Sequence, residues 1–239
     1  MSNPSKMIDW QAIPLHATVL RLVARLSSRV FLGEEICRNE AWLRITREYT
    51  VTTFKSAEQL RLWPTPLRWI AVWLLPACRH ARAQVQQAHQ IITPVLEKRR
   101  KLKAKLGKEG KEPVLYNDAI EWFELAANGK RYNPTGMQLL LSIGAIHTTT
   151  DLLCQTMVDL AQHPEILQSL REEVTAIIRE DGWKKSSLHK MKLLDSVLKE
   201  SQRLKPLSRS KNIRSNPFNA LFLHTNSYSS DAPGRTSRY

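Results

Sequence analysis

The sequence predicts a mainly α-helical protein, and three observations support this fold class. Apolar residues recur at helical spacing along most of the first 206 residues. Alternating apolar and polar residues, which are typical of β-strands, are almost absent from this part, and no internal repeat is present. One long segment, residues 133–163, has the composition of a buried helix.

This central helix has clear start and stop signals. Asn133 offers an N-cap and Pro134 occupies the first helical position, where proline is favoured. The pair His163-Pro164 ends the helix. Apolar residues on nearly all sides predict that it is buried. The polar residues 147–151 interrupt the apolar run, which argues against a membrane span.

The polar interruption has three interpretations. Threonine hydroxyls can bond to carbonyls three or four residues earlier, so the threonines can satisfy one another locally. Alternatively, small Gly144 and Ala145, followed by the hydroxyls of Thr148 and Thr149, form a face that a flat ligand can approach. The weakest interpretation is a metal site, because it has no histidine-rich motif. Its ligands would be His147, Asp151 and Cys154.

Helical spacing and breakers predict further helices on both sides. They cover residues 15–32, 39–62, 78–106, 116–128, a segment that begins at Pro164, and 188–205. Asn39 is the expected N-cap of the second helix, and Ser186 or Ser187 that of the last. The inward face of the second helix is predicted to be Trp42, Leu43, Ile45, Tyr49, Val51 and Phe54.

The formal net charge is +14, which raises nucleic acid or an anionic surface as partners. Residues 97–112 hold eight Lys or Arg against three Glu. No aromatic residue interleaves these charges, so we favour a solvated helix end over a nucleic-acid arm.

The three cysteines are scattered in apolar surroundings, which predicts that they are reduced core residues. The first 14 residues show no apolar run of the length that a secretion signal or an anchor needs.

Residues 62–76 contain three Trp and three Pro around Arg68. This connector is too short to span a bilayer. Its Trp and Arg side chains suit a membrane interface. Burial of the connector against the core is an equally weighted alternative.

A second constellation lies in LLDSVLKESQRLKP, where Glu200 and Arg203 are three residues apart on one helix face. An ordinary surface ion pair is the simplest interpretation. The motif gains weight because Pro206 ends its helix at once. It also follows the His147-Thr148 segment by about fifty residues.

Four segments stand in a fixed order along the chain, and they are RLVARLSSRVFLGEEICRNEAWL, SIGAIHTTTDLL, HPEILQSLREEV and LLDSVLKESQRLKP. Together these segments resemble the cytochrome P-450 family of haem-thiolate monooxygenases, in particular the fungal members that modify terpenoid and indole-diterpene secondary metabolites. The resemblance covers residues 10–206 and implies the central helical part of that fold.

The resemblance implies roles for individual residues. Thr148 would organise water and protons at the haem iron, and His147, where most members have an acid, would relay protons. The distal haem face would also include Gly144, Ala145 and Thr149. Glu200 and Arg203 would brace the haem-proximal core.

The resemblance also implies partners and a location. Family members take haem as cofactor, electrons from a reductase and an apolar small molecule as substrate, and they are associated with the endoplasmic reticulum membrane. The connector 62–76 resembles the loop that approaches the membrane. No nucleic-acid partner is expected.

The sequence departs from the family pattern at the haem ligand. No cysteine follows Cys154, so the Phe-x-x-Gly-x-x-x-Cys-x-Gly loop is missing, and the chain offers no metal ligand. The looser match of Phe31, Gly33 and Cys37 lies upstream of the central helix and is rejected. We also expect the family's membrane anchor and β-rich N-terminal part to be missing from this chain. We therefore expect a truncated chain, cytoplasmic or membrane-peripheral, that does not bind haem stably and is inactive alone.

Residues 207–239 are rich in Ser and Asn and have no helical period. We predict two parts, a partial cytochrome P-450 helical domain at 1–206 and a non-homologous, disordered tail at 207–239, which is a true truncation or a gene-model error. One alternative function is a non-catalytic helical protein that binds a ligand or partner. A basic nucleic-acid binder ranks below it.

Overall fold

The computed structural model of the chain describes residues 12–206, and within this range it contains α-helices, one 3₁₀ turn and no strand. The mainly α prediction is confirmed for this part, and the predicted tail, 207–239, lies outside it. The helices are α1 (Leu15–Leu32), α2 (Glu40–Arg61), α3 (Arg68–Leu74), α4 (Pro76–Lys108), α5 (Ala119–Ala127), α6 (Pro134–Gln162), α7 (Pro164–Asp181), α8 (Lys185–Lys190) and α9 (Lys192–Leu204), with the 3₁₀ turn at Thr65–Leu67.

Two side-chain caps and one proline mark the starts of helices α2, α6 and α7, as the sequence predicts. Asn39 Oδ1 accepts a hydrogen bond from the backbone N–H of Trp42 at 3.0 Å. Asn133 Oδ1 accepts one from the N–H of Gly136 at 2.9 Å. Pro164 occupies the first position of α7. These predicted starts are confirmed, because each depends on residues within one helical turn.

The chain forms two compact units. Of the described residues, the first unit contains 12–23 and 148–206, and the second contains 24–147. Helices α1 and α6 each contribute residues to both units.

The core of the second unit lies where α2 packs against α4, the most extensive helix pair of the described residues. Trp42 is fully buried, and its indole Nε1–H donates to Ser28 Oγ of α1 at 3.0 Å. This bond satisfies the polar edge of a large buried ring. Leu43 and Ile45 of α2 and Ala88, Ile92 and Leu96 of α4 are buried as well.

The predicted inward face of α2 is correct only in its first half. Val51 and Phe54 are 46% and 39% exposed. The buried stripe instead continues through hydroxyl residues at helical spacing, which are Thr46, Thr50, Thr53 and Ser56. Thr46 and Ser56 satisfy their hydroxyls by donating to the Leu43 and Thr52 carbonyls of the same helix, so burial of these two positions does not require apolar side chains. No such bond is made by the buried hydroxyls of Thr50 and Thr53.

A buried ion pair joins the end of α4 to the start of α5. Arg99 Nη1 donates to Asp118 Oδ1 at 2.9 Å, and Nη2 lies 2.8 Å from Oδ2. Both side chains are less than 5% exposed. The Arg99 guanidinium also stacks on the ring of Tyr116 at 4.0 Å from its centroid. Asp118 Oδ1 in addition accepts the N–H of Glu121 at 3.1 Å, which caps α5.

Gly33, between α1 and α2, touches this pair. Its φ is +74°, in the region that favours glycine. A Cβ at this position would lie 2.6 Å from Asp118 Oδ2 and 3.1 Å from Arg99 Nη2. Both the backbone conformation and the space therefore require glycine here.

In the first unit, α7 packs against α8 and α9. The predicted single helix 188–205 is wrong, because the chain breaks at Met191, with φ −74° and ψ 74° and a buried side chain, and forms α8 and α9 instead. The predicted cap at Ser186 or Ser187 is also wrong. Both serines lie inside α8, and the Ser187 hydroxyl donates to the Gly182 carbonyl at 2.8 Å.

The prediction that α6 is buried on nearly all sides is wrong as well. Its buried residues include Leu139, Ile143 and Ile146. Other positions are exposed, because no element of the part that the structure describes covers them. They are Gly144, Thr148, Thr149, Asp151, Met157 and Val158. Across residues 12–206, none of the helices combines the length and the apolar character that crossing a membrane requires.

Replacing Gly33 by alanine is expected to destabilise the protein more than the same change at Gly129. Gly129 has a similar φ of +78°, but open space surrounds the position of its Cβ. Gly129→Ala therefore introduces backbone strain alone, which costs about 1 kcal/mol. Gly33→Ala must also displace the Arg99–Asp118 pair, so we expect a loss of roughly 3 kcal/mol or more. Urea unfolding followed by circular dichroism measures both losses, and equal losses would contradict this prediction.

Candidate functional site

The predicted ligand face lies on α6. In the second unit, Gly144 is exposed, a Cβ there would meet nothing within 4 Å, and Ala145 is half-buried. In the first unit, Thr148 and Thr149 are exposed while Thr150 is fully buried. Gly144 and Thr148 are four residues apart along α6. Gly144 gives close access to the backbone, and Thr148 carries a hydroxyl group.

His147 is half-buried and bonded to α2 within the second unit. Its Nε2 lies 3.0 Å from the carbonyl oxygen of Arg47. Because a carbonyl oxygen can only accept, the proton in this hydrogen bond lies on Nε2 of the ring. The ring thus holds α6 to α2, and its role in proton transfer stays a prediction.

Glu200 and Arg203 form a bidentate pair on α9. Arg203 Nε and Nη2 donate to the two carboxylate oxygens of Glu200 at 2.7 and 2.6 Å. The hydrogen bonds from Arg203 lower the pKa of Glu200, and those same bonds raise the pKa of Arg203. Both side chains are more than half exposed. Their role as a brace of a haem core stays a prediction.

Asp159, on α6, contacts both ends of the turn that contains Arg203. Its Oδ2 accepts from Ser201 Oγ at 2.5 Å, and its Oδ1 accepts from Lys205 Nζ at 3.2 Å and from Gln155 Nε2 at 2.7 Å. The Ser201 bond is the main cause that lowers the pKa of Asp159. Sequence reasoning missed this residue, because Ser201 lies 42 positions away.

Glu173 of α7 supplies a cap that α9 lacks. Its two carboxylate oxygens accept the backbone N–H groups of Leu193 and Leu194 at 2.8 and 3.0 Å. Met191, which precedes α9, offers no side-chain cap. A carboxylate at a helix N-terminus satisfies free N–H groups and interacts favourably with the helix dipole. This residue also lacks a local sequence signal.

All three cysteines are at least partly buried. Cys37 and Cys78 are buried, and Cys37 Sγ donates to the Glu34 carbonyl at 3.5 Å. Loss of hydration, and next the charge of Asp151, raise the pKa of the Cys154 thiol. Asp151 itself pairs with His16 at 3.2 Å. Within residues 12–206, no group of three or more potential ligands could hold a metal ion.

Ion pairs neutralise most of the basic segment 97–112. Acidic side chains of the second unit lie next to most of its Lys and Arg residues, which leaves little free charge for a polyanion. The pairs are Lys98–Glu35, Arg99–Asp118, Arg100–Glu124, Lys103–Glu121, Lys105–Glu109 and Lys111–Glu109.

The connector 62–76 presents its apolar side chains outward. Trp69 and Trp73 are 69% and 58% exposed, and only Ala71 is buried in this segment. Arg82 of α4 holds α3 in place, since its guanidinium donates to the carbonyls of Val72 and Trp73 at 2.6 and 3.3 Å. The same guanidinium lies 4.6 Å from the centre of a Trp73 ring.

Comparison with known proteins places this architecture in a family. The family model described as Cytochrome P450 matches residues 11–217. Cytochrome P450 monooxygenase hepE of Aspergillus oryzae is 57% identical over 202 residues, which are 84% of this chain and 37% of that protein. Cytochrome P450 monooxygenase 1 of Gibberella fujikuroi is 50% identical over 84% of this chain and 46% of its own length. Cytochrome P450 monooxygenase TRI1 of Fusarium sporotrichioides is 47% identical over 86% of this chain and 37% of its own length.

No solved structure matches the chain. The chain spans less than half of the length of these fungal relatives. The matched region includes both α6 and α9, the two helices that carry the predicted site residues. The chain belongs to the cytochrome P450 family.

Proposed function

We propose that this chain is the helical middle of a haem-dependent monooxygenase that oxidises an apolar small molecule, of terpenoid type, in fungal secondary metabolism. The observation that carries the proposal is the 57% identity to a cytochrome P450 monooxygenase over 202 residues. The open face of α6 supports it, because Gly144 leaves room for a flat group next to the backbone. In the whole protein, a reductase would supply electrons.

Each predicted site residue has a task in this proposal. Gly144, Ala145 and Thr149 would shape the surface against which the cofactor lies. Thr148, an exposed residue, would contribute its hydroxyl to the hydrogen bonds that hold water in place there. His147 would position α6 through its bond to Arg47.

The cysteines of the chain do not fit the haem. When bound, this cofactor supplies the oxidising chemistry and requires an axial thiolate. Cys37 and Cys78 are buried in the protein core, and the raised pKa of Cys154 favours its neutral thiol. The chain alone therefore does not hold haem as a thiolate complex and is inactive as a monooxygenase.

A spectroscopic measurement tests this conclusion. The purified chain is mixed with haem, reduced and exposed to carbon monoxide. We expect no Soret band at the thiolate-specific position, because Cys37 and Cys78 are buried in the core and the pKa of the Cys154 thiol is raised. A variant with all three cysteines replaced by alanine serves as the control. A thiolate band in the native chain that disappears in this variant would show that the conclusion is wrong.

The proposed role of α6 can be tested in a graft. Residues 11–206 replace the corresponding segment of the Aspergillus oryzae relative, which supplies the rest of a monooxygenase. The graft is expected to bind haem and consume reductant. Thr148→Ala should lower the product formed per electron consumed by about tenfold, roughly the effect of one lost hydrogen bond.

Thr175→Ala, at an exposed position of α7, is the matched control and should leave this ratio unchanged. If Thr148→Ala forms as much product per electron as the unmodified graft, Thr148 has no role in the proposed site. A graft that folds but binds no haem would count against the proposed function itself.

The second element of the proposal is contact with a membrane surface through the connector 62–76. Its exposed Trp and Leu side chains form an apolar surface beside Arg68, whose Nε donates to the Trp63 carbonyl at 3.0 Å. Aromatic rings next to arginine suit the headgroup region of a bilayer. This segment would rest on the surface without crossing the bilayer.

The double variant Trp69→Ala/Trp73→Ala is expected to weaken binding to phosphatidylcholine vesicles by at least about tenfold, since two large rings no longer insert. Vesicle co-sedimentation measures this change. Trp183→Ala removes a ring that is even more exposed, at 84%, from the first unit and should have no effect. Equal losses in both variants would contradict membrane contact through the connector.

A further inference from the structure

The last turn of α9 contains Arg203, one partner of the Glu200–Arg203 pair. Helix α9 ends at Leu204, and Lys205 follows as its C-cap. Terminal turns of helices fray unless their groups are bonded elsewhere, because the last carbonyls have no partner within the helix. Arg203 can keep its bidentate contact with Glu200 only while this turn stays helical, since the contact depends on a spacing of three residues along a helix.

Asp159 bonds to this turn on both sides of Arg203. The Ser201 side chain, 3% exposed, donates its hydroxyl to Asp159 Oδ2 at 2.5 Å. The Lys205 ammonium lies 3.2 Å from Oδ1, and its backbone N–H donates to the Ser201 carbonyl at 3.1 Å. Gln155, one turn earlier on α6, donates to Oδ1 at 2.7 Å and orients the carboxylate.

The opposite end of α9 is bonded separately. There Glu173 accepts the N–H groups of Leu193 and Leu194. The helix is therefore held by two carboxylates, one from α6 and one from α7, at opposite ends. Each carboxylate can be removed without touching the contacts of the other.

We propose that Asp159 is a positioning residue that keeps the last turn of α9 helical and so holds Arg203 in reach of Glu200. Its importance for catalysis rests on the proposed function. Asp159 and Thr148 are eleven residues apart on α6, which places them within about 20° of the same face. Asp159 thereby connects the helix that carries Thr148 directly to the helix that carries Arg203.

Hydrogen exchange measured by NMR on the full chain, without haem, tests the proposal. In Asp159→Ala, the Lys205 amide and the Arg203 Nε–H should exchange about tenfold faster or more, because Ser201 and Lys205 lose a charged acceptor. The amides of Leu193 and Leu194 should keep their rates. Glu173→Ala is the matched control and should give the reverse pattern.

Asp159→Asn separates charge from hydrogen bonding. Its amide oxygen can still accept from Ser201 but does not attract the Lys205 ammonium, so exchange at Lys205 should lie between the rates of the native chain and Asp159→Ala. If Asp159→Ala does not fold, this variant alone decides, through the exchange rate at Lys205 relative to that at Leu193.

Equal acceleration at both ends of α9 in both variants would overturn the proposal, because it would reflect a general loss of stability. An unchanged rate at Lys205 in the Asp159 variants would overturn it too. The measurement needs no cofactor, so it remains decisive even if the graft fails to bind haem. In that case the proposed function fails while the positioning role of Asp159 stands.

Discussion

The buried ion pair between Arg99 and Asp118 is the interaction on which the second unit depends. It joins α4 to α5, caps α5 through the second bond of Asp118, and leaves room for no side chain at Gly33. Burying two charges is costly, so such a pair adds little net stability compared with apolar residues. Loss of one partner, however, leaves the other charge buried and alone, which typically costs about 3–5 kcal/mol. We therefore expect the pair to matter more for the arrangement of these helices than for their net stability.

The helices could be predicted from sequence wherever a local signal fixes them. Asn39, Pro134 and Pro164 act on backbone groups within one turn, and their helices begin where expected. The break at Met191 was missed because it depends on burial of that side chain and on a carboxylate from another helix. The second half of α2 was misread for a related reason. Periodicity counts apolar residues, whereas threonine can be buried with its hydroxyl bonded to its own helix.

In the candidate site, too, the features set by neighbouring residues could be predicted, and those set by distant residues could not. The pairing of Glu200 with Arg203 follows from their spacing, and the small residues of α6 are visible as a motif. The partners Asp159 and Glu173 are invisible in sequence, since each contacts residues at least twenty positions away. An apolar helix predicts burial without stating what covers it, and one side of α6 is left uncovered by the described residues. Two of the relatives are more than twice as long as this chain and contain further segments that can cover this face.

The carboxylates of Asp159 and Glu173, which come from other helices, also affect how α9 folds. With 13 residues and no cap of its own, α9 is at the length where an isolated helix is marginal in water. It becomes stable only after α6 and α7 are in place to offer Asp159 and Glu173. Both helices precede α9 in the chain, so a ribosome releases the acceptors before the helix that needs them. The order of synthesis thus matches the order of dependence, and a circular permutation that placed α9 ahead of α6 would lose this match.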